Sequence, residues 1–314
     1  MKRRSALCLL ALCLLLTGCG AGKQAEEDRL RVVTTLFPYY DFARAVAGDR
    51  AEVTLLLAPG REAHSFEPTP LDAVAISRAD VFIYNGGEGE YWVDDMLDAV
   101  GEDIGTRVRM MDFVDALEEE TVEGMQLPEE EEDSDEIEYD EHIWTSPKNA
   151  VTLCRAVCDA LCAADAANAD FYRRNCEAYC LQLTALDAQF TLLRTNAARD
   201  MLVVADRFPL LYFCRAYGLN YRAAFHGCSG DTEPSLATLR YLIDRVNGDA
   251  IPVIYTLDLN SQKIAEAISE CTGAKIERLW SMQTVSRTDF DAGETYITLM
   301  ERNLEALRKG LTDS

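Results

Sequence analysis

Short apolar runs alternate along most of the chain with stretches in which apolar residues recur every three or four positions. Such runs between turn residues are typical of buried strands, and the wider spacing is typical of amphipathic helices. In the first part of the chain the runs occupy residues 31–35, 53–57, 81–84 and 108–111. Strands that alternate with helices indicate a parallel sheet, so this part is predicted to form an α/β lobe.

The same alternation returns towards the C-terminus and predicts a second α/β lobe. Its strands are predicted at residues 201–205, 221–225, 252–257 and 276–280, and its helices at 210–217, 234–246, 261–271 and 294–311. Either Thr232 or Asp231 is expected to cap the second of these helices, because short polar side chains accept hydrogen bonds from first-turn amides. Between the lobes, helical periodicity covers residues 147–163 and 168–198, and the latter would be about 45 Å long if unbroken.

The N-terminus has the pattern of a processing signal. Three basic residues precede the apolar run 7–16, which is short for a membrane span, and the tetrapeptide LTGC follows at residues 16–19. This pattern predicts a lipoprotein signal peptide at residues 1–18, lipidation of Cys19 and a flexible tether at 19–29. An ordinary secretory signal with a chance cysteine is the alternative. Either way, we expect an extracytoplasmic protein, and the lipid would anchor it to the cell membrane.

The chain is strongly acidic, with a formal net charge of −24 at pH 7. This charge argues against nucleic acid as a partner and is compatible with attraction of cations. Fourteen of the 24 residues at 118–141 are Asp or Glu, and none is Lys or Arg. Such a block predicts a disordered insertion, which is either a solvated surface loop or a flap that collects cations.

The chain has only three histidines, and two of them lie in loops that surround them with carboxylates. His64 belongs to GREAHSFEPTP at residues 60–70, directly after a predicted strand, and His142 belongs to DEHIWTSP at 140–147. Parallel sheets present binding residues on the loops that follow their strands. Two such histidines are candidate metal ligands, and simple hydrogen-bonded loop histidines are the alternative.

These two motifs, in this order, resemble the zinc/manganese ABC-transporter solute-binding protein family. The similarity extends from about residue 30 to the C-terminus and includes ADVFIYNGG at residues 79–87, TGAK at 272–275 and GETY at 293–296. It implies a fold of two Rossmann-like parallel-sheet lobes joined by a long rigid helix. It also implies that Zn²⁺, or Mn²⁺, binds between the lobes as the transported ligand and passes to an ABC permease.

The resemblance also implies a ligand set. His64 and His142 match the ligands of the first lobe, and Asp206 occupies the position of the third ligand. The family's last acid is replaced here by the sequence WSMQ at residues 280–283, so Asp258 is the nearest carboxylate that could complete the site. Gln283 and His226 are further candidates. No catalytic residue is predicted, and a secreted metal-dependent hydrolase or an adhesin-like protein with a structural metal are the alternative functions.

About 295 residues would remain after processing, which is more than one core usually holds, so two domains are expected. Beyond the signal peptide and tether, we predict an N-terminal α/β lobe at residues 30–146 that carries the acidic loop 118–141. A helical segment with the long linker helix follows at 147–198, and a C-terminal α/β lobe at 199–314.

Cysteines recur at helical spacing in the predicted helical segment. Cys154, Cys158 and Cys162 form one series, and Cys176 and Cys180 form another. Cysteine packs well as a small buried side chain, while a soft-metal cluster is the alternative. Disulfide bonds between different elements are a further alternative. In the second lobe, the cysteines that could form them are Cys214, Cys228 and Cys271.

Overall fold

The computed structural model describes residues 29–61, 65–101, 104–126, 138–227 and 233–312. These residues contain two four-stranded parallel sheets. The strands of the first sheet are β1 (Leu30–Thr34), β2 (Ala51–Leu55), β3 (Val81–Tyr84) and β4 (Thr106–Arg109), and those of the second are β5 (Met201–Phe208), β6 (Asn220–His226), β7 (Val253–Leu257) and β8 (Lys275–Leu279). The strand orders, β2-β1-β3-β4 and β6-β5-β7-β8, follow the same plan. The predicted α/β fold with two parallel-sheet lobes is therefore confirmed.

Helices cover both faces of the sheets. They are α1 (Phe37–Ala47), α2 (Pro70–Ser77), α3 (Trp92–Val100), α4 (Pro147–Ala164), α5 (Ala169–Asn196), α6 (Leu211–Tyr217), α7 (Leu236–Gly248), α8 (Lys263–Thr272), α9 (Arg287–Ala292) and α10 (Tyr296–Leu311). In β1, Val32 belongs to the central core, while the adjacent Val33 packs into a separate cluster with residues of α2 and α3. Burial on both faces explains why the strands have continuous apolar runs. Among the described residues, no helix is both long and apolar enough to span a membrane.

One large apolar core extends through both lobes and includes residues of α1, α4, α5 and α10. Asp41 is the polar residue at its centre, and its Oδ2 accepts hydrogen bonds from Tyr179 Oη at 2.5 Å and from the Tyr296 backbone N–H at 2.9 Å. The carboxylate thus joins α1, the linker helix α5 and the N-terminus of α10. The helix α5 has 28 residues, a length of about 42 Å.

The observed elements differ from the sequence-based bounds mainly at their ends. The helix predicted from Pro234 begins at Leu236 as α7, and its N-cap is Ser235, whose Oγ accepts from the Thr238 backbone N–H at 3.1 Å. The predicted caps Asp231 and Thr232 lie outside the described residues. The short helix α9 was not predicted, because six residues show too little periodicity.

The acidic segment 118–141 is ordered in its described parts, residues 118–126 and 138–141. Glu118 and Tyr139 form an antiparallel bridge, and the Glu119 backbone N–H donates to the Glu138 carbonyl at 2.9 Å. The Gln126 backbone N–H donates to the carbonyl of Ala224 on edge strand β6, at 3.0 Å. The prediction of a disordered insertion is wrong for these parts.

The physical reason is that the two described ends of the acidic segment pair with each other and dock together on the second lobe. Its carboxylates contact cationic and polar side chains of the second lobe: Glu120 pairs with Arg215, and Glu123 accepts from Tyr241 Oη at 3.0 Å. Charge density in the sequence indicates self-repulsion, but it contains no information about a distant partner surface. Residues 127–137 lie outside the described part of the chain.

Candidate metal centre

A small polar cavity of about 140 Å³ lies between the lobes, at the carboxyl ends of the strands. Its lining includes Arg61 and His142 from the first lobe, and Arg207, Asp258, Asn260 and Gln283 from the second. In open α/β sheets the loops at the carboxyl ends of the strands form the ligand site. Here the two sheets point these ends at a common cleft.

His142 reaches this cavity from a buried loop, and Asp140 holds it there. The Asp140 Oδ1 atom accepts from the His142 backbone N–H at 2.7 Å and lies 3.2 Å from His142 Nδ1. When Nδ1 donates to this carboxylate, Nε2 is the ring nitrogen that carries the lone pair. A carboxylate behind the imidazole is the usual support of a metal-binding histidine. The side chain is only 1% exposed.

Gly227 allows the His142 ring to take this position. A Cβ atom on Gly227 would lie 3.0 Å from His142 Cε1 and 3.1 Å from both His142 Nδ1 and the Phe208 carbonyl. These contacts are tighter than ordinary carbon contacts, so the second lobe packs its backbone directly against the imidazole of the first lobe.

The charge state of His142 depends on the carboxylates around it. Burial opposes protonation, but Asp140, Glu141 and Glu119 prevail and raise the pKa of His142 above its ordinary value. A proton therefore competes for the imidazole when no metal is bound, since only the neutral ring is a ligand.

Asp258 provides a carboxylate from the second lobe. Its Oδ1 accepts from the Ser281 backbone N–H at 3.0 Å, while its Oδ2 is buried without a hydrogen-bond partner among the described residues. Burial raises the pKa of Asp258 to about 6. A buried, unsatisfied carboxylate oxygen requires a physical explanation, and a cation in the cavity would supply one.

Asp206 has a different environment, because both of its carboxylate oxygens accept hydrogen bonds. Oδ1 accepts from the Arg207 backbone N–H and from Asn260 Nδ2, both at 2.8 Å, and Oδ2 accepts from the Leu257 backbone N–H at 3.2 Å and from Thr256 Oγ1 at 3.3 Å. These bonds tie the end of β5 to the end of β7 and to the loop that follows it. Its predicted role as a metal ligand stays a prediction.

The third histidine lies beside the acidic segment. His226 Nδ1 is 3.2 Å from Glu119 Oε1, and the same oxygen accepts from the Gly227 backbone N–H at 2.8 Å. Burial opposes ionisation of Glu119, but its hydrogen bond and charge interaction with His226, together with the charge of His142, lower its pKa. The sequence gives no local signal for Glu119, which only the docking of its segment brings near His142.

The remaining predicted residues are placed as follows. Gln283 lines the cavity, and its backbone carbonyl accepts from the Phe37 N–H of the first lobe at 3.3 Å. His64 and Cys19 lie outside the described residues. Within the described part of the chain, potential ligand atoms converge in a group of three only at a cysteine cluster away from the cleft.

Two parallel-sheet lobes with a small polar cavity between their strand ends define a two-lobe solute-binding protein. The family model of the zinc-uptake complex component A, periplasmic (ZnuA), matches residues 32–310. The chain belongs to this family. The family resemblance predicted from the two histidine motifs is thereby confirmed, and family membership favours solute binding over the hydrolase and adhesin alternatives.

Similar proteins agree with this assignment. The chain is 34% identical to the zinc-binding lipoprotein AdcA of Streptococcus pneumoniae over 98% of its own length, but it spans only 61% of the length of AdcA. It is 32% identical to the high-affinity zinc uptake system protein ZnuA of Bacillus subtilis, with 99% of this chain and 98% of that protein covered. The crystal structure of the Zn(II)-bound ZnuA-like domain of S. pneumoniae AdcA matches with a TM-score of 0.75 and 32% identity, covering 91% of this chain and all of that domain.

Proposed function

We propose that this chain is an extracytoplasmic solute-binding lipoprotein that captures Zn²⁺ between its two lobes and delivers it to an ABC permease. The observation that carries the proposal is the interlobe cavity of a zinc-uptake family member, lined by a carboxylate-supported histidine and by a buried carboxylate with an unsatisfied oxygen. The named functions of AdcA and of B. subtilis ZnuA support the choice of zinc.

The proposed ligand set combines His64 and His142 with carboxylates of the second lobe. Zinc in proteins commonly takes four ligands, and imidazole nitrogen and carboxylate oxygen both suit it. Asp258 is the preferred partner, because its Oδ2 has no hydrogen-bond partner among the described residues, while Asp206 already accepts four hydrogen bonds. Asp206, Gln283 and His226 are the candidates for the fourth position. A mixed histidine–carboxylate set would also admit Mn²⁺, although intrinsic affinity favours zinc.

The proposal includes membrane anchoring and a domain organisation along the chain. Residues 1–18 would be removed, and lipid on Cys19 would anchor the chain through a tether at residues 19–29. The two lobes, residues 30–146 and 199–314, are joined through residues 147–198 and would lie outside the membrane. Cys19→Ser should release the protein into the soluble fraction or stall its processing. A mature, lipid-labelled Cys19→Ser protein in the membrane fraction would contradict the anchor.

The central experiment is metal analysis of the mature chain, followed by Zn²⁺ and Mn²⁺ titration against a competing chelator. Wild type should retain tightly bound zinc and prefer it to manganese. His142→Ala should lose the one equivalent of zinc that is held in the cleft, and Glu88→Ala, a change at an exposed residue, should not. Unchanged zinc affinity in His142→Ala would rule out the cleft as the zinc site.

A further inference from the structure

Three cysteines meet where α4 packs against α5, away from the cleft. The Sγ atoms of Cys154, Cys176 and Cys180 all lie within 4.8 Å of one another, and all three residues are buried. Cys176 and Cys180 are the closest measured pair, with 3.8 Å between their Sγ atoms. Cys158 lies one turn beyond Cys154 and lines the same surface pocket as Cys176 and Cys180.

This convergence follows from spacing and packing together. Residues four apart on a helix share one face, so each helix presents a pair of thiols. The pairs are Cys154 with Cys158 on α4, and Cys176 with Cys180 on α5. Because the two cysteine-bearing faces pack against each other, three of these thiols, Cys154, Cys176 and Cys180, reach a common point.

The sulfur separations suit a tetrahedral metal ion. Zn–S bonds are about 2.3 Å long, and a tetrahedral arrangement then places the sulfur atoms about 3.8 Å apart. The distance between Cys176 and Cys180 already has this value. The other separations within the trio need to close by at most about 1 Å, which side-chain rotation can provide.

The surroundings provide both access and charge compensation. A surface pocket of about 370 Å³ reaches Cys158, Cys176 and Cys180, and Arg155 and Arg173 also line it. A divalent ion with three or four thiolates has a net negative charge, which is costly to bury without a cation nearby. Arg155 and Arg173 place such cations in the pocket that reaches the thiols.

We propose that Cys154, Cys176 and Cys180, completed by Cys158, form a second metal site for a thiophilic divalent ion such as Zn²⁺. The ion would join α4 to the linker helix α5. A site closed by four thiolates is typical of structural zinc, so this ion would remain in place while the cleft exchanges its cargo. No cleft residue takes part, so the proposal does not depend on the proposed function.

Cobalt provides the sharpest test, because thiolate coordination gives Co²⁺ an intense near-ultraviolet charge-transfer absorption. The chain without residues 1–18, with Cys19→Ser, is reduced under anaerobic conditions and titrated with Co²⁺. Wild type and His142→Ala should both develop this absorption, whereas Cys154→Ala/Cys176→Ala/Cys180→Ala should lose it. Cys271→Ala, at an exposed cysteine, and Cys228→Ser, next to the cleft residue Gly227, should keep it.

Zinc content provides the second measurement. Wild type should bind two zinc ions, and the triple variant should bind one. No charge-transfer absorption in reduced wild type would overturn the proposal, whether or not the triple variant folds. Equal zinc content in the two proteins would overturn it as well, and so would a disulfide between α4 and α5 that persists in the protein isolated with zinc.

Discussion

The environment of His142, a proposed zinc ligand, depends mainly on one carboxylate. Asp140 binds both the backbone N–H and the Nδ1 side of this residue, so it sets the position of the ring and the tautomer together. The same negative charge also favours protonation of the metal-free ring. If His142 binds zinc as proposed, Asp140 influences both the zinc affinity of the ring and its competition with protons.

We predict that Asp140→Ala lowers zinc affinity by about 10- to 100-fold, the usual effect of removing the partner of a ligating histidine. Asp140→Asn should lose less zinc affinity than Asp140→Ala, because its side-chain oxygen can still accept a hydrogen bond from His142. Competition with a chelator at pH 7.5 measures both variants, with Asp115→Asn as the exposed control. Wild-type affinity in Asp140→Ala would show that Asp140 does not support a ligand.

Substitution of the two second-lobe carboxylates should affect different properties of the protein. Asp258→Asn should lower zinc affinity at least about tenfold, or 1.4 kcal/mol, because it removes an anionic oxygen at the cavity. Asp206→Asn should instead lower the free energy of unfolding by about 1–3 kcal/mol, because an amide donor replaces an oxygen that accepts hydrogen bonds. Chelator competition and urea denaturation of the metal-free proteins separate these effects. If Asp206→Asn lost more zinc affinity than Asp258→Asn, Asp206 and not Asp258 would be the carboxylate ligand.

Glu90 is a buried carboxylate outside the cleft. Its Oε2 accepts from the backbone N–H groups of Asn85 at 2.7 Å and Gly86 at 3.0 Å, and burial raises its pKa to about 7. Because the folded-state pKa lies above the ordinary value of 4.5, its contribution to stability is complete below about pH 4.5 and is lost as pH rises through 7.

Glu90→Gln should therefore be more stable than wild type at pH 8, by up to roughly 3 kcal/mol, and similar to it at pH 4.5. The glutamine oxygen can keep the two backbone hydrogen bonds, and no charge is buried. Urea denaturation of the metal-free proteins at both pH values measures the difference, with the exposed Glu88→Gln as the matched control. A constant difference between Glu90→Gln and wild type across this range would contradict the prediction.

At the scale of the elements, the described ends of the acidic segment 118–141 depend on contacts with the second lobe for their position. Its ends are anchored to the second lobe through Glu119 and Gln126, while Glu138 holds Glu119 through the backbone. Further acidic residues lie between these anchors in the sequence, and their charges can attract cations.

We predict that replacing all Asp and Glu at residues 129–136 by Asn and Gln slows zinc association at low salt and leaves equilibrium affinity within about tenfold. Long-range attraction acts mainly on the rate of encounter. Stopped-flow measurements at low and high ionic strength test this, and the difference should shrink with salt. Complete loss of binding would mean that the segment contributes ligands. Glu138 is kept so that the substitutions leave the described, docked end of the segment unchanged.

Across the whole molecule, direct hydrogen bonds connect the lobes beside the cleft. Trp144 Nε1 donates to the Ser281 carbonyl at 2.8 Å, and the Gly60 N–H donates to the Val285 carbonyl at 2.7 Å. The shared core, which includes α5, extends through both lobes. These connections oppose a wide hinge opening.

Zinc release should therefore involve loop movement rather than separation of the lobes. Small-angle scattering of metal-free and zinc-loaded protein should give radii of gyration that agree within about 1 Å. Trp144→Phe, which removes the bond to Ser281 and keeps an aromatic ring, should widen the difference. A larger change in wild type would indicate hinge opening.

The sequence by itself determined the α/β class, the two-lobe plan and the family. Burial of strands and helices leaves a periodic pattern in neighbouring residues, and the motifs around His64 and His142 are also local. Only the tertiary structure decided that Asp258 faces the cavity while Asp206 accepts four hydrogen bonds. It also brings Glu119 to His226 and the thiols of two helices together. The physical reason is that each of these contacts joins residues far apart in the chain, and packing alone sets the direction of the side chains involved.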